Sequence, residues 1–410
     1  MFLEFSKFKL FFKNLKKNER NFIAFIVLQP LIIISTGLFS VKVYRDGQLQ
    51  IWADDIYHKL SESKNNIRSL FIPPTEKIFV NLSFLEMKKL KLAKLEAIKN
   101  VKYKGLSFAQ FGKSAYSKGF MNTVDSEKYP LKIRLKGTTT QHFRHSSSWS
   151  FKVKTKAITP FFNNTEFSLQ RPFARSGFKE FVFQKMLKNE NLFSHRMKPL
   201  NLTVNGQNLG NYFFIDGYTK YFIEANKRIE SVIIGYDKGP YINELIKNRD
   251  YFKEVFSKNA FKVAPKESEK GSNPIKFKYL EQHGFKLLNE FQSGEKKLSE
   301  ISNYEDIGKL LAIRALFGSK ELDWRDMKFY VNPITMKLEL IGREIHTEEN
   351  ERPSNWWYLD SNKIDTEEKQ LIQKLEGDTL LVEAYLKGIR EIIKDEYLNK
   401  FFKKYNSIFL

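Results

Sequence analysis

The chain contains no cysteine, which removes disulfides, thiolate metal sites and cysteine nucleophiles together. Histidine is also scarce, six residues in 410. Only His142 and His145 stand close enough in sequence to share an ion, and no third donor lies nearby. Glycine and proline are few, 20 and 12, so there is little room for low-complexity linkers. The sequence has no internal repeat, no zinc-ligand spacing, no RNA-binding aromatic signature and no basic region joined to heptads. Nucleic acid is therefore not an expected partner.

What is present points to a large folded core. Hydrophobic residues make up 42% of the chain and aromatics 15%, with 38 Phe and 18 Tyr, and each buried aromatic removes a large area from water. Such a length accommodates one big domain with appendages. The charge is strongly one-sided: 69 Lys+Arg against 47 Asp+Glu give a formal net charge of +22, which favours anionic partners. Much of this charge sits in Lys-rich stretches (88–94 and 262–278) that read as solvated faces.

Residues 22–41, FIAFIVLQPLIIISTGLFSV, carry no charge. At about 1.5 Å per helical residue, twenty residues span a bilayer core of about 30 Å, so a transmembrane helix is expected over 21–43. Lys7, Lys9, Lys13, Lys16, Lys17 and Arg20 precede the run, whereas only Lys42, Arg45 and Lys59 follow in the next twenty residues. The positive-inside bias then leaves the N-terminus cytoplasmic and the main domain extracytoplasmic, in a single-pass membrane protein. A cleaved signal peptide fits less well, because the run is longer than an ordinary signal core and no small-x-small site follows it.

The chemistry-bearing residues begin at Leu131. In LKIRLKG, Lys132, Arg134 and Lys136 alternate with Leu131, Ile133 and Leu135, so a strand puts the cations on one face and the aliphatics on the other. WSFKVK repeats the pattern: Trp149, Phe151 and Val153 face the core, while Lys152 and Lys154 share the other face with Ser150. The connecting GTTTQHFRHSSS is rich in hydroxyls and begins with a glycine that lets the backbone turn closely around a ligand. Such a hairpin suits a triphosphate clamp, and equally an ordinary amphipathic hairpin with solvated lysines. A helix follows from about Gly177 to Lys188, then a hairpin turning at Asn205-Gly206 whose second strand delivers Asp216. Residues 304–318 predict another helix, and MKFYVNP with KLELIGREI predicts a hairpin that would bring Asp326 and Glu344 together.

Taken in order, these pieces resemble the spore-coat CotH kinase family of atypical kinases over roughly residues 130–350. The resemblance rests on Arg134-x-Lys136-Gly137, then Trp149-Ser150-Phe151-Lys152 and Phe167-Ser168-Leu169-Gln170. Asn205-Gly206, Gly210-x-Tyr212 and Asp216 come next, followed by Trp324-x-Asp326 and Phe329-Tyr330-x-Asn332-Pro333. It implies an ATP-dependent phosphotransferase with a two-lobed, kinase-like α+β fold, using Mg2+ or Mn2+ and acting on a protein or surface polymer. Carried over, Arg134, Lys136 and Lys152 would contact phosphates, and Asp216 would hold a basic partner or the nucleotide. Asp323 and Asp326 would be catalytic, and Asp326 and Glu344 would hold the metal. Ser148, Asp326 and Glu344 stand at or near positions where family members usually have Lys, Asn and Asp. The alternative is therefore a catalytically degenerate, kinase-like scaffold for anionic cell-surface material.

The expected organisation is a basic cytoplasmic tail (1–20), the membrane helix (21–43), an extracytoplasmic spacer or small lobe (44–124), the kinase-like domain with its β-hairpins (125–350) and a helical C-terminal extension (351–410). Within this plan, 231–305 reads as an insertion or mobile segment and the C-terminal extension as two helices broken near Gly377-Asp378.

Overall fold

The computed structural model describes residues 74–103, 115–137, 148–236, 261–264, 274–319, 327–345 and 366–405, apart from 126, 173, 175, 176 and 344 within those ranges, together with the single positions 111, 142, 143 and 324. The apolar run 22–41 lies outside these residues. Among the described residues, no helix is long and apolar enough to cross a membrane.

The fold is mixed α+β. Seven strands close a barrel in the order β1-β2-β3-β4-β5-β7-β6: β1 (Lys77–Leu82), β2 (Ser117–Thr123), β3 (Lys128–Leu135), β4 (Phe151–Thr155), β5 (Glu166–Gln170), β6 (Met197–Val204) and β7 (Gln207–Asp216). Alternation fixes which side of each strand faces in. Ile78 and Val80, Ile133 and Leu135, Phe151 and Val153, and Tyr212 and Phe214 meet in one buried cluster, while the residues between them point out. The barrel closes through β1 and β6, which run parallel with Ile78 opposite Leu202. Strands from the stretch expected to be a spacer or small lobe thus share this barrel with the strands of the expected kinase-like domain. Helix α1 (Phe84–Tyr103) follows β1 and packs Leu90 and Ala97 into the same cluster.

The β6–β7 hairpin turns at Asn205 and Gly206, both at positive φ (46° and 80°), as a two-residue turn of this composition requires. The second half of β7, from Tyr212 to Asp216, is buried on both sides. Its outward Phe213 and Ile215 pack with Phe181 of α2 (Gly177–Asn189), and the Phe181 and Phe213 rings stack at 5.6 Å between centroids.

After a short helix, α3 (Lys220–Ala225), the chain builds a four-stranded antiparallel sheet in the order β11-β10-β8-β9. Its strands are β8 (Ile233–Tyr236), β9 (Phe261–Ala264), β10 (Lys328–Val331) and β11 (Leu338–Leu340). Helices α4 (Pro274–Ser293), α5 (Leu298–Ile301) and α6 (Tyr304–Leu316) contribute to the core on which this sheet lies. Among the described residues, the stretch expected to be an insertion or mobile segment therefore holds β8, β9, α4, α5 and the start of α6. All four residues of β8 are buried, so it shows no polar alternation from which a strand could be read. The described residues of the C-terminal part form three helices, α7 (Thr366–Glu376), α8 (Thr379–Ile392) and α9 (Asp395–Lys404). Two were expected, because the break at Ile393-Lys394 carries neither glycine nor proline. Helices α6 and α8 approach through small residues: a Cβ on Gly308 would stand 2.6 Å from the Ala384 methyl, and one on Gly388 would stand 3.0 Å from that of Ala312.

Candidate functional site

The outer face of β3, β4 and β5 carries three rows of polar side chains, set by register. Lys132 opposes Lys154, which opposes Glu166; Arg134 opposes Lys152, which opposes Ser168. One step further, the Lys136 amide donates to the Ser150 carbonyl at 2.8 Å, and the Lys136 ammonium donates to the Gln170 side chain. The alternation in the sequence thus places Arg134, Lys136 and Lys152 on one face of adjacent strands.

The electrostatics differ from row to row. Glu166 is the carboxylate that meets these cations: Lys152 Nζ lies 3.4 Å from it, and Lys154 forms a closer ion pair. Burial pushes the Glu166 carboxyl up, but Lys152 and Lys154 outweigh it and hold its pKa below the usual value. Burial lowers the pKa of Lys152, with Arg134 and Lys154 adding to the effect and Glu166 opposing it. Its side chain is still 37% exposed, so the charge is accessible. Tyr116 lies under the same patch, its ring 5.3 Å from the Arg134 guanidinium and 5.9 Å from the Lys154 ammonium. Neither Glu166 nor Tyr116 figured among the expected site residues. The alternation around Phe167 does place Glu166 on the cationic face, whereas nothing in the sequence points to Tyr116.

The third row is closed off. Ser150 shares the face of Lys152 and Lys154 as expected, yet it is fully buried. The turn after β5 covers it: its Oγ accepts from the Arg171 amide at 3.2 Å, and Gln170 Nε2 donates to the Ala174 carbonyl at 3.1 Å. Gly137, at φ 94°, was expected to let the backbone wrap a ligand. Its open side is instead filled by His142, whose ring a Cβ would meet at 2.1 Å. Residues 138–141 and 144–147 of that loop lie outside the described residues.

Asp216 sits at the end of β7 with a buried carboxylate. Oδ2 accepts from Arg196 Nε at 2.6 Å, and Oδ1 accepts from Arg196 Nη2 and from Asn164 Nδ2, each at 2.9 Å. Asn164 in turn accepts from Thr219 Oγ1 and from the Glu166 amide through its Oδ1. Burial raises the Asp216 pKa, against the pull of Arg196 and Asn164. Its basic partner is thus Arg196, twenty residues upstream and carried next to it by the hairpin.

Asp323, Asp326 and Glu344 lie outside the described residues, but the chain beside Glu344 is held firmly. The Gly342 amide donates to the Phe193 carbonyl at 2.8 Å. Gln184 of α2 donates to the Gly342 carbonyl at 3.1 Å, and Glu180 Oε2 accepts from the Ile345 amide at 2.6 Å. Glu180, buried in α2 and also accepting from Gln184 at 2.8 Å, fixes this stretch of backbone and was not among the expected site residues. An acidic residue in the first turn of a helix reads simply as complementing the helix dipole.

Residues 133–318 match the CotH kinase protein family. The CotH-matched segment opens inside β3 and closes just past α6, so it contains Arg134, Lys136, Lys152, Glu166, Glu180 and Asp216. It leaves α1, β1, β2, β10, β11 and the last three helices outside, and with them Asp323, Asp326 and Glu344. No curated protein matches the chain. Among solved structures, a chain from the Shewanella oneidensis MR-1 toxin–antitoxin complex of HipA, HipB and operator DNA is 11% identical. That alignment covers 83% of this chain and 72% of the other, with a TM-score of 0.25.

Proposed function

We propose that the protein is a membrane-anchored, ATP-dependent phosphotransferase with a two-lobed kinase-like fold, acting on a protein or surface polymer outside the cytoplasm. The barrel with α1 and α2 would be one lobe, and the second sheet with its helices the other. The observation that carries the reading is the paired Arg134 and Lys152 on adjacent strands of the CotH-matched segment. Their accessible positive charge is only partly offset by Glu166. Phosphates suit such a donor set, since an anion relieves the repulsion between neighbouring cations.

For the divalent ion, no group of three His, Cys, Asp or Glu among the described residues could hold one. Asp326 and Glu344, outside those residues, are hard oxygen donors of the type Mg2+ or Mn2+ takes. Bound there, the ion would neutralise charge on the phosphoryl group being transferred. Asp323 and Asp326 would orient and deprotonate the acceptor hydroxyl. Glu180 and Gln184 would keep the backbone around Glu344 in place, which matters because small misplacements are costly in catalysis.

Thermal unfolding of the full chain with and without ATP, each with and without Mg2+ or Mn2+, tests the reading. Nucleotide at about a hundred times its dissociation constant stabilises by about 2.7 kcal/mol. The expected shift is metal-dependent and is lost in Lys152→Ala and Asp326→Ala. No shift with any nucleotide would overturn the reading. A shift with no transfer of labelled phosphate would leave the degenerate scaffold for anionic surface material.

A further inference from the structure

Helix α1 is apolar on two sides. Its inward side, with Met87, Leu90, Ala97 and Ile98, packs against the barrel core. Its outward side carries Phe84, Leu85, Leu92 and Leu95, which remain 80%, 75%, 54% and 61% exposed. Leu85, Lys88, Leu92 and Leu95 succeed one another by three or four residues, so they form one continuous stripe. Four large exposed apolar side chains on one helix mark an interaction surface, whereas single ones scattered over a protein do not.

The charge around the stripe identifies the partner. The helix carries lysines at 88, 89, 91, 94, 99 and 102 against only two acids, Glu86 and Glu96. Glu86 is engaged with the barrel, its carboxylate accepting from the Lys118 amide at 3.1 Å. Lys88 and Lys91 are exposed beside the leucines, whereas Lys89 donates to the Tyr116 carbonyl at 2.6 Å and Lys94 lies over the Trp149 ring. Protein interface cores are depleted in lysine, whereas leucine and phenylalanine flanked by lysine are what a helix lying in a lipid headgroup layer presents. We propose that the outward face of α1 rests on an anionic lipid surface, with its apolar stripe in the headgroup boundary and Lys88 and Lys91 on the lipid phosphates. The inference goes beyond phosphotransfer and does not rest on it.

The absence of cysteine makes a direct test available, because a single introduced thiol labels one site. Full chains carrying Leu92→Cys or Leu95→Cys, labelled with bimane, are reconstituted into phosphatidylcholine vesicles with or without phosphatidylserine. A label at Ile334→Cys, exposed in the β10–β11 turn, serves as control. Quenching by spin-labelled lipid is expected to be several-fold stronger at 92 and 95 than at 334, to require phosphatidylserine, and to be lost with Lys88→Glu/Lys91→Glu or in high salt. A general anchor elsewhere in the chain does not create this contrast between positions. Equal quenching at all three positions, or quenching at 92 and 95 that ignores phosphatidylserine and charge reversal, would overturn the proposal. No quenching at 92 and 95 would also overturn it and assign the stripe to a protein partner.

Discussion

Two charged groups on the same barrel, Lys152 on β4 and Asp216 on β7, are held in opposite ways. Asp216 is withdrawn from water and surrounded by its own protein: Arg196 grips both carboxylate oxygens, and Asn164 ties them to Thr219 and to the backbone of β5. Lys152 shares its face with Arg134 and Lys154 and meets Glu166, which it divides with Lys154. Burial acts on both, raising the carboxylate and lowering the ammonium, but only Asp216 is saturated with fixed partners. The difference separates a charge that organises structure from one suited to a mobile anion: of the two roles expected for Asp216, a basic partner or the nucleotide, Arg196 supplies the first.

The strongest way to break this comparison is to remove the partner of the buried charge. Arg196→Ala leaves the Asp216 carboxylate uncompensated and should destabilise the protein by about 3–5 kcal/mol, read as a fall in the denaturant midpoint. Arg196→Met/Asp216→Leu should recover most of that loss, since the pair as a whole is far less valuable than its broken half. A small effect of Arg196→Ala would mean that water reaches Asp216 and that it belongs with the exposed charges.

A smaller loss is expected at Glu180. Its two oxygens accept from different donors, the Ile345 amide and Gln184 Nε2. Glu180→Gln keeps one acceptor and turns the other into a donor, which should cost about 1–3 kcal/mol. Hydrogen exchange at the Ile345 amide should rise with it. Unchanged protection there would show that the Ile345 amide is held without the Glu180 carboxylate.

The smallest change in stability is expected at Lys152, whose partly exposed ion pair shares Glu166 with Lys154 and should contribute only about 1 kcal/mol. Here the informative readout is pH. Because the Lys152 pKa lies below the ordinary lysine value in the folded protein, the ammonium is lost at lower pH than in a free lysine. Phosphate favours the charged form, so ATP affinity should fall as pH rises through that lowered pKa, before the ordinary lysine value of about 10.4 is reached. Lys152→Arg, which stays charged, should move the decline to higher pH. An ATP affinity that is flat over the same range in the unsubstituted protein would remove Lys152 from the anion site.

Much of this fold could be read from local pattern. The alternation of cations and aliphatics over 131–136 and 149–154 specifies strands β3 and β4 and their outward face, Asn205-Gly206 specifies a hairpin, and the apolar spacing in 177–188 and 304–316 specifies helices α2 and α6. These are properties of neighbours in sequence, where side-chain period and backbone preference act directly. Barrel closure was not legible, because β1 pairs in parallel with a strand more than a hundred residues away and a parallel contact needs no turn signature. Strand β8 was hidden for the opposite reason: burial on every side erases the polar alternation that marks a strand.

The same division runs through the site. The sequence by itself determined that Arg134 and Lys152 share a face, because a strand turns alternate residues to the same side. Only the tertiary structure decided that Ser150 is covered, that Gly137 makes room for His142, that Asp216 belongs to Arg196 and that Glu180 holds the Ile345 amide. Each of those outcomes depends on which segments folding brings together in a medium where a buried polar group must find a partner, and local pattern carries no record of that choice.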